Sequence, residues 1–99
     1  MNDNFFGILG LCRRAGKLNW GRDTAKKAVR SHKAKLILLA SDVSDRIKRE
    51  FKNLSEDENI EILFLEETME TISKSVCVNA GVFTVNDEGF AKLLKKNSR

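Results

Sequence analysis

The chain has 99 residues, with 18 Lys and Arg against 14 Asp and Glu, a net charge of +4 and 41% hydrophobic residues. This composition is typical of one globular domain and excludes a disordered chain, so we expect a single domain over residues 1–99 that frays only at 95–99. The sequence holds no run of the ~20 apolar residues that a membrane span needs, which predicts a soluble cytoplasmic protein without a membrane partner.

The first 20 residues predict a helix and a short strand. Apolar residues recur at helical spacing over 5–12, two arginines occupy the last turn, and Gly16 ends the helix. Residues 17–20 then form a short extended segment, which we predict to be the fourth strand of a sheet.

A second helix is predicted from Arg22 to about His32. The face expected to be buried carries Ala25, Ala28, Val29 and His32. The opposite face carries Arg22, Lys26, Arg30 and Lys33. This segment is therefore an amphipathic helix with a basic outer surface.

Apolar runs predict the other strands, at residues 35–40, 60–65 and 81–85. The first run is continuous, as in a central strand that is covered on both faces. Ser44 or Asp45 is expected to cap a third helix, residues 66–75 a short fourth one, and Asn86 the last helix. This alternation predicts an α/β fold, a three-layer α/β/α sandwich with a central mixed sheet of about four strands.

The sequence supplies few residues for catalysis or metal binding. His32 falls on an apolar stripe, and neither Cys12 nor Cys77 has an identifiable base, so no enzyme is predicted. We expect the cysteines to be two buried free thiols rather than a disulfide. Asp42 and Asp45 could hold a metal, but a turn and a helix cap also account for them. No phosphate-binding glycine loop is present, and no cofactor is expected.

The charges are strongly polarised along the sequence. Residues 13–35 hold nine basic residues against one acid, whereas residues 42–70 hold ten acids against four basic residues. Clustered Lys and Arg bind polyanions by displacing condensed counterions, so the basic block predicts a nucleic-acid surface. Charged helix faces are also common on ordinary protein surfaces, and that interpretation stays open.

The basic block contains the start of the second helix at Gly21 and Arg22. Free backbone N–H groups and the helix dipole favour phosphate at such a position. Arg14 and Lys17 precede it, so that side-chain and backbone donors can converge. Two interpretations are open for Trp20, a stacking platform for an unpaired base or an anchor in the core.

Several segments of the chain together resemble a known family. They are Leu9-Gly-Leu-Cys-Arg-Arg-Ala-Gly-Lys-Leu18, Gly21, Ala25-Lys-Lys-Ala-Val-Arg30, Lys33-Ala-Lys-Leu-Ile-Leu-Leu-Ala-Ser-Asp42 and Asn86-Asp-Glu-Gly-Phe-Ala-Lys-Leu93. The chain resembles the small RNA-binding ribosomal proteins that recognise kink-turns, and most closely their bacterial YlxQ-type members. The resemblance implies an α/β/α sandwich, no catalysis, and binding to structured RNA associated with the ribosome.

In kink-turn binders, the glycine that opens the second helix is followed by one residue, an Asn-Glu or similar polar pair, and then a Lys. These groups read the guanines of sheared G·A pairs. Gly21 and Lys27 match this pattern, but the pair here is Asp23-Thr24. Asp accepts hydrogen bonds, whereas Asn both donates and accepts them. Asp23 could instead pair with Lys27 four residues later.

The second contact of the family is a small apolar loop before the last strand, which matches residues 76–80. The predicted RNA-binding residues are therefore Arg13, Arg14, Lys17, Gly21, Arg22, Asp23, Thr24, Lys26, Lys27, Arg30, Lys33, Val76, Cys77, Val78, Asn79 and Ala80. The expected partner is RNA, with ribosomal proteins as further candidates.

Two other functions compete with RNA binding. In the first, the acidic residues 42–70 form a surface that docks a basic ribosomal or assembly protein. In the second, Asp42 and Asp45 hold a metal in a phosphate-directed enzyme. We rank the second function last, because a turn and a helix cap explain Asp42 and Asp45 without a metal.

Overall fold

The computed structural model of the chain describes residues 3–98. Within them, helices and strands alternate along the chain. They are α1 (Asp3–Arg14), β1 (Leu18–Trp20), α2 (Arg22–Arg30), β2 (Leu36–Leu39), α3 (Asp45–Glu58), β3 (Glu61–Phe64), α4 (Met69–Val76), β4 (Val82–Val85) and α5 (Glu88–Lys96). No helix within the described residues is long and apolar enough to span a bilayer.

The strands form one mixed sheet in the order β1-β4-β2-β3. The central pair β2 and β4 is antiparallel, as is β1 with β4, whereas β2 and β3 run parallel. All residues of β2 and β4 are buried, in agreement with the apolar run that predicted a central strand. The edge strand β3 is only partly covered. The predicted mixed sheet of about four strands is confirmed.

Helices cover both faces of the sheet because side chains of a strand alternate between its faces. In β2, Leu36 and Leu38 belong to a core shared with α1, α4 and α5. Ile37 and Leu39 belong to a second core shared with α2 and α3. The predicted three-layer α/β/α sandwich is confirmed.

Side-chain caps set the starts of two helices. The Ser44 hydroxyl accepts a hydrogen bond from the Ile47 amide at 3.2 Å, as the sequence predicted for α3. The fourth helix begins at Met69 rather than at Glu66, because Thr68 caps it. The expected start of that helix was therefore three residues too early.

The cap of the last helix is Asp87, not Asn86. An Asp87 carboxylate oxygen accepts from the Phe90 amide at 2.9 Å. The backbone of Asn86 is used differently, because its amide donates to the Lys17 carbonyl at 2.8 Å and extends the pairing of β1 with β4. The helix therefore begins one residue later, and it continues to Lys96.

The prediction that His32 lies on a buried stripe is wrong. The helix α2 ends at Arg30, and His32 adopts a left-handed conformation with φ 63°. The turn is closed by hydrogen bonds from the Lys33 and Ala34 amides to the Ala28 carbonyl. It directs the His32 side chain, which is 80% exposed, away from the core, and Ala34 is buried instead.

The two cysteines are free, as expected, but only one of them is buried. Burial raises the pKa of the Cys12 thiol to about 11, and the nearby charge of Asp87 adds to this effect. Cys77 is exposed because it is the left-handed residue, at φ 60°, that ends α4. The prediction of a second buried thiol was wrong.

Candidate nucleic-acid interface

The start of α2 is held against the sheet by the backbone of Gly21. The Gly21 amide donates to the Val82 carbonyl at 3.0 Å, which ties this helix start to the beginning of β4. Gly21 has φ 94° and ψ 149°, a conformation that side chains with a Cβ rarely adopt. The backbone conformation, and not a lack of space, requires glycine here, because a Cβ would meet no atom within 4 Å.

No side chain of the described residues caps α2. Helices leave their first amides without an internal partner, and these amides together with the dipole attract an anion. In α3, α4 and α5, by contrast, Ser44, Thr68 and Asp87 fill this position. Among these four helix starts, α2 alone keeps its amides available to an external acceptor.

The loop of residues 76–80, called the flanking loop below, reaches the same end of the sheet. The carbonyl of the next residue, Gly81, accepts from the Ala40 amide at 2.9 Å. A Cβ at Gly81 would lie 2.5 Å from Val43 Cγ1 and 2.6 Å from Met69 Sδ, so a larger residue would have to displace these side chains. Gly81 therefore fixes the end of the flanking loop directly before β4, the strand whose Val82 carbonyl accepts from the Gly21 amide.

The flanking loop exposes fewer apolar side chains than its sequence suggests. Val76 and Val78 are buried in the core, and Ala80 is partly buried. Cys77 and Asn79 are exposed. Of the five predicted loop residues, Cys77 and Asn79 are thus the ones that offer most surface to a ligand.

The outer face of α2 forms an open groove between residues that are all polar or charged. The lining residues are Asp23, Thr24, Lys26, Lys27, Arg30 and Ser31. Lys27 and Arg30 are exposed and form no ion pair with any carboxylate of residues 4–98. The expected pair between Asp23 and Lys27 is likewise absent from this part of the chain. These two cations are therefore available for a polyanion.

Arg22 and Lys26 differ from their neighbours because both bind Glu50 of α3. Arg22 donates to the two oxygens of Glu50 at 2.9 and 2.8 Å, and Lys26 Nζ lies 2.9 Å from Oε1. The hydrogen bonds from Arg22 and Lys26 and their charges hold the pKa of Glu50 at about 2, below its ordinary 4.5. The pair is not evident from the sequence because 28 residues separate Arg22 from Glu50.

This ion-pair cluster predicts a pH effect on stability. Because the pKa of Glu50 is lowered on folding, its contribution is complete above pH 4.5 and is lost as the pH falls towards about 2. Glu50→Gln should therefore unfold at lower urea than the wild type at pH 7, with the difference vanishing near pH 2. Urea midpoints measured across this range test the prediction.

The matched control is Glu56→Gln on the same helix, because Glu56 is exposed and forms no ion pair within residues 4–98. Its midpoint should follow that of the wild type at every pH. A difference between Glu50→Gln and the wild type that stays constant down to pH 2 would contradict the role of Glu50.

Trp20 lies directly before Gly21 and is 40% exposed, so it is not a core residue. The Arg13 guanidinium carbon lies 5.8 Å from the centre of its ring, within the range of a cation–π contact. Arg13 is therefore engaged within the protein. Arg14, the next residue, is exposed and forms no ion pair with the carboxylates of residues 4–98.

The structure separates the predicted basic residues into two groups. Lys27 and Arg30 lie along α2, whereas Lys17 and Lys33 lie in turns at the opposite end of the sheet from Gly21. A nine-residue helix is about 13 Å long, so the two ends cannot contact the same phosphate. One compact site does not hold all the predicted residues.

The aspartates considered as metal ligands have other roles. Asp42 Oδ1 accepts from the Met69 amide at 2.9 Å, and Asp45 is in the first turn of α3. Among the described residues, no group of three or more His, Cys, Asp or Glu is arranged to hold a metal. The turn interpretation accounts for Asp42, whereas Ser44 rather than Asp45 caps α3.

Comparison with known proteins places this architecture in a family. The model of the ribosomal protein L7Ae/L30e/S12e/Gadd45 family matches residues 3–95. The chain belongs to this family. The RNA-binding protein YlxQ of Enterococcus faecium is a similar relative, 33% identical over 89 residues that cover 90% of this chain and 85% of the relative. The resemblance inferred from the sequence is confirmed.

Solved structures of low sequence identity share the fold of this L7Ae/L30e/S12e/Gadd45 family member. A protein of unknown function from Bacillus halodurans C superposes with a TM-score of 0.90 at 23% identity, over 96% of both chains. The 15.5kD RNA binding protein of Giardia lamblia superposes with a TM-score of 0.77 at 16% identity, over 97% of this chain and 86% of that one.

Proposed function

We propose that this family member is a non-enzymatic RNA-binding protein of one domain that recognises kink-turn-like RNA and acts in the cytoplasm in association with the ribosome. The observation that carries the proposal is the start of α2 at Gly21, which no side chain of the described residues caps, on a helix whose exposed Lys27 and Arg30 pair with no carboxylate of residues 4–98. Backbone amides at the start of a helix and cations along its outer face suit base edges and the phosphates of one strand. The name of the Enterococcus faecium relative supports RNA as the ligand.

Within this function the contacts divide by chemistry. The exposed Lys27 and Arg30 bind phosphates, which supplies affinity but carries no sequence information. Asp23 and Thr24, next to the free amides, contact base edges and supply specificity. In the flanking loop, Cys77, Asn79 and the exposed part of Ala80 contact a base that has left its stack.

The proposal is tested with a kink-turn RNA and an A-form duplex of equal length, titrated over a series of salt concentrations. Each neutralised phosphate contributes about 0.7–0.9 to the slope of log affinity against log salt. We expect tighter binding to the kink-turn with a shallower slope than for the duplex. Equal affinities would contradict kink-turn recognition, and binding to neither RNA would favour the acidic protein-docking surface.

Asp23 offers a sharper test of base recognition. A carboxylate repels nearby phosphate and can only accept hydrogen bonds, whereas the amide of Asn donates and accepts at the same size. Asp23→Asn should therefore raise the affinity for the kink-turn about 3- to 10-fold, as expected for gaining one hydrogen bond. Isothermal titration of both proteins measures this change.

A matched control separates a local effect of Asp23 from the change in net charge. Asp57→Asn, near the end of α3, makes the same chemical change far from Gly21 in the sequence. It should leave the affinity close to that of the wild type. A loss of affinity in Asp23→Asn would show instead that the carboxylate accepts from the RNA.

A further inference from the structure

A second basic site lies at the opposite end of the sheet from Gly21. It is a shallow hollow, called the lysine hollow below, lined by Lys17, Lys33 and Lys35 with Asn19, His32 and Asn86. The lysines come from two separate segments of the chain, the turn before β1 and the turn between α2 and β2. The fold, rather than local sequence, brings these charges together.

Backbone hydrogen bonds fix the position of two of the lysines. The Lys17 carbonyl accepts from the Asn86 amide at 2.8 Å, and the Lys35 amide donates to the Val85 carbonyl at 2.7 Å. Lys17 and Lys35 thus flank the end of β4 on either side, which places their backbones about 10 Å apart, two strand spacings. Their side chains are exposed.

The third lysine is placed by the left-handed turn at His32. The Lys33 amide donates to the Ala28 carbonyl at 3.0 Å directly after this turn. The turn therefore brings Lys33 back to the end of the sheet, where it lines the hollow together with Asn19 and Asn86.

The lysines of the hollow are not paired with acids in the part of the chain that the structure describes. None of its three lysines forms an ion pair with a carboxylate of residues 4–98. Two acids lie near Lys35 without pairing with a lysine of the hollow: Glu58 Oε1 is 3.9 Å from Nδ1 of His32, on the hollow's rim, and Glu61 Oε1 is 3.8 Å from Lys95 Nζ. Three ammonium groups around one concavity, without a carboxylate partner among residues 4–98, repel one another and favour an anion between them.

The helix α2 connects the hollow to the interface proposed above. Lys27 and Arg30 line the groove on α2, and the hollow lies beyond the end of that helix. The length of α2, about 13 Å, corresponds to about four nucleotides of a strand with ~3.4 Å spacing. One RNA can therefore contact the start of α2 and extend its backbone into the hollow.

From this arrangement we infer that the lysine hollow binds backbone phosphates of the same RNA, several nucleotides away from the bases recognised at Gly21. The inference rests on the proposed function, because it assigns the hollow to the RNA bound there. The hollow would add affinity and fix the direction of the RNA stem without reading its sequence.

The test combines protein variants with two kink-turn RNAs, one with a long stem along α2 and one with that stem shortened so that it ends before the hollow. The variant Lys17→Gln/Lys33→Gln/Lys35→Gln should lower the salt slope for the long-stem RNA by about 2.1–2.7, the sum of three lost phosphate contacts. It should bind the short-stem RNA with the same slope as the wild type.

Two further variants serve as controls. Lys52→Gln/Lys92→Gln/Lys96→Gln removes the same charge from positions of α3 and α5, and it should leave both slopes unchanged. The triple Lys→Arg variant of the hollow should restore the wild-type slope, because it keeps the charge. Urea unfolding of each variant verifies that it is folded.

The outcomes separate the two proposals. If the wild type binds the long-stem RNA and the hollow variant has the same salt slope, the phosphate-binding role of the hollow is contradicted and the proposed function stands. Equal loss in the hollow variant and in the control variant, or equal loss on both RNAs, also overturns the hollow. If the wild type binds no RNA, both the function and the hollow are overturned.

Discussion

Replacing Lys27 and Arg30 together with alanine is expected to weaken kink-turn RNA binding about 30-fold at ~0.1 M salt. Two lost phosphate contacts lower the slope of log affinity against log salt by about 1.5. Over the tenfold range from ~1 M salt down to ~0.1 M, this difference in slope amounts to an affinity about 30-fold lower. Both residues line the groove of α2, three residues apart, so that they lie on the same side of the helix.

The same variant should leave the fold intact. Alanine favours helix, and neither side chain pairs with a carboxylate of residues 4–98, so the free energy of unfolding should change by no more than ~0.5 kcal/mol. Arg22 and Lys26 are unsuitable for this test because their replacement also releases Glu50. Fluorescence anisotropy with labelled RNA and urea unfolding measure the two quantities.

The control for this prediction is Lys92→Ala/Lys96→Ala on α5, a helix that packs on the other face of the sheet. It removes the same charge from a helix and should change the RNA affinity far less. Equal weakening by the two variants would mean that net charge, rather than the groove on α2, governs binding.

The sequence was sufficient where a local pattern decides the structure. The apolar run at β2 predicted a strand buried on both faces, and the spacing of Ala25, Ala28 and Val29 predicted the buried face of α2. Both features follow from the period of side chains along an element, which needs no knowledge of its neighbours. The layer architecture followed from the order of these elements.

The sequence was insufficient where a distant group decides the structure. Asn86 and Asp87 are both good caps, and the choice depends on the hydrogen bond from the Asn86 amide to the carbonyl of Lys17, near the other end of the chain. That boundary depends on a tertiary contact that competes with local preference. The end of α2 is different, because the left-handed turn at His32, closed by hydrogen bonds from the Lys33 and Ala34 amides to the Ala28 carbonyl, is local and was not evident from the apolar spacing.

For the candidate site too, the sequence predicted the local features and not those that depend on distant groups. The sequence indicated the start of α2 and its basic residues as the site, but its charge pattern favoured one interface that holds all of the cations. Strand β1 separates Lys17 from Gly21, helix α2 separates Gly21 from Lys33, and Glu50 of α3 engages Arg22 and Lys26. Charge along a sequence therefore predicted the kind of ligand better than it predicted which side chains are available to bind it.

The largest loss of stability is expected from Leu38→Ala. Leu38 is fully buried in the central strand β2, in the core shared with α1, α4 and α5. Removal of its side chain loses the burial of its methyl groups and leaves a cavity, which together cost about 3 kcal/mol. Domains of this size have only ~5–15 kcal/mol of stability, so the melting temperature should fall by about 15 °C.

The matched control is Leu93→Ala, which makes the same chemical change at a leucine that is 47% exposed on α5. Its free energy of unfolding should change by no more than ~0.5 kcal/mol. Below its melting temperature, Leu38→Ala should keep the salt slope of RNA binding, because the groove of α2 lies on the other face of the sheet from the Leu38 core. Equal destabilisation by the two variants would contradict the placement of Leu38, whereas an altered slope would show that the two layers are coupled.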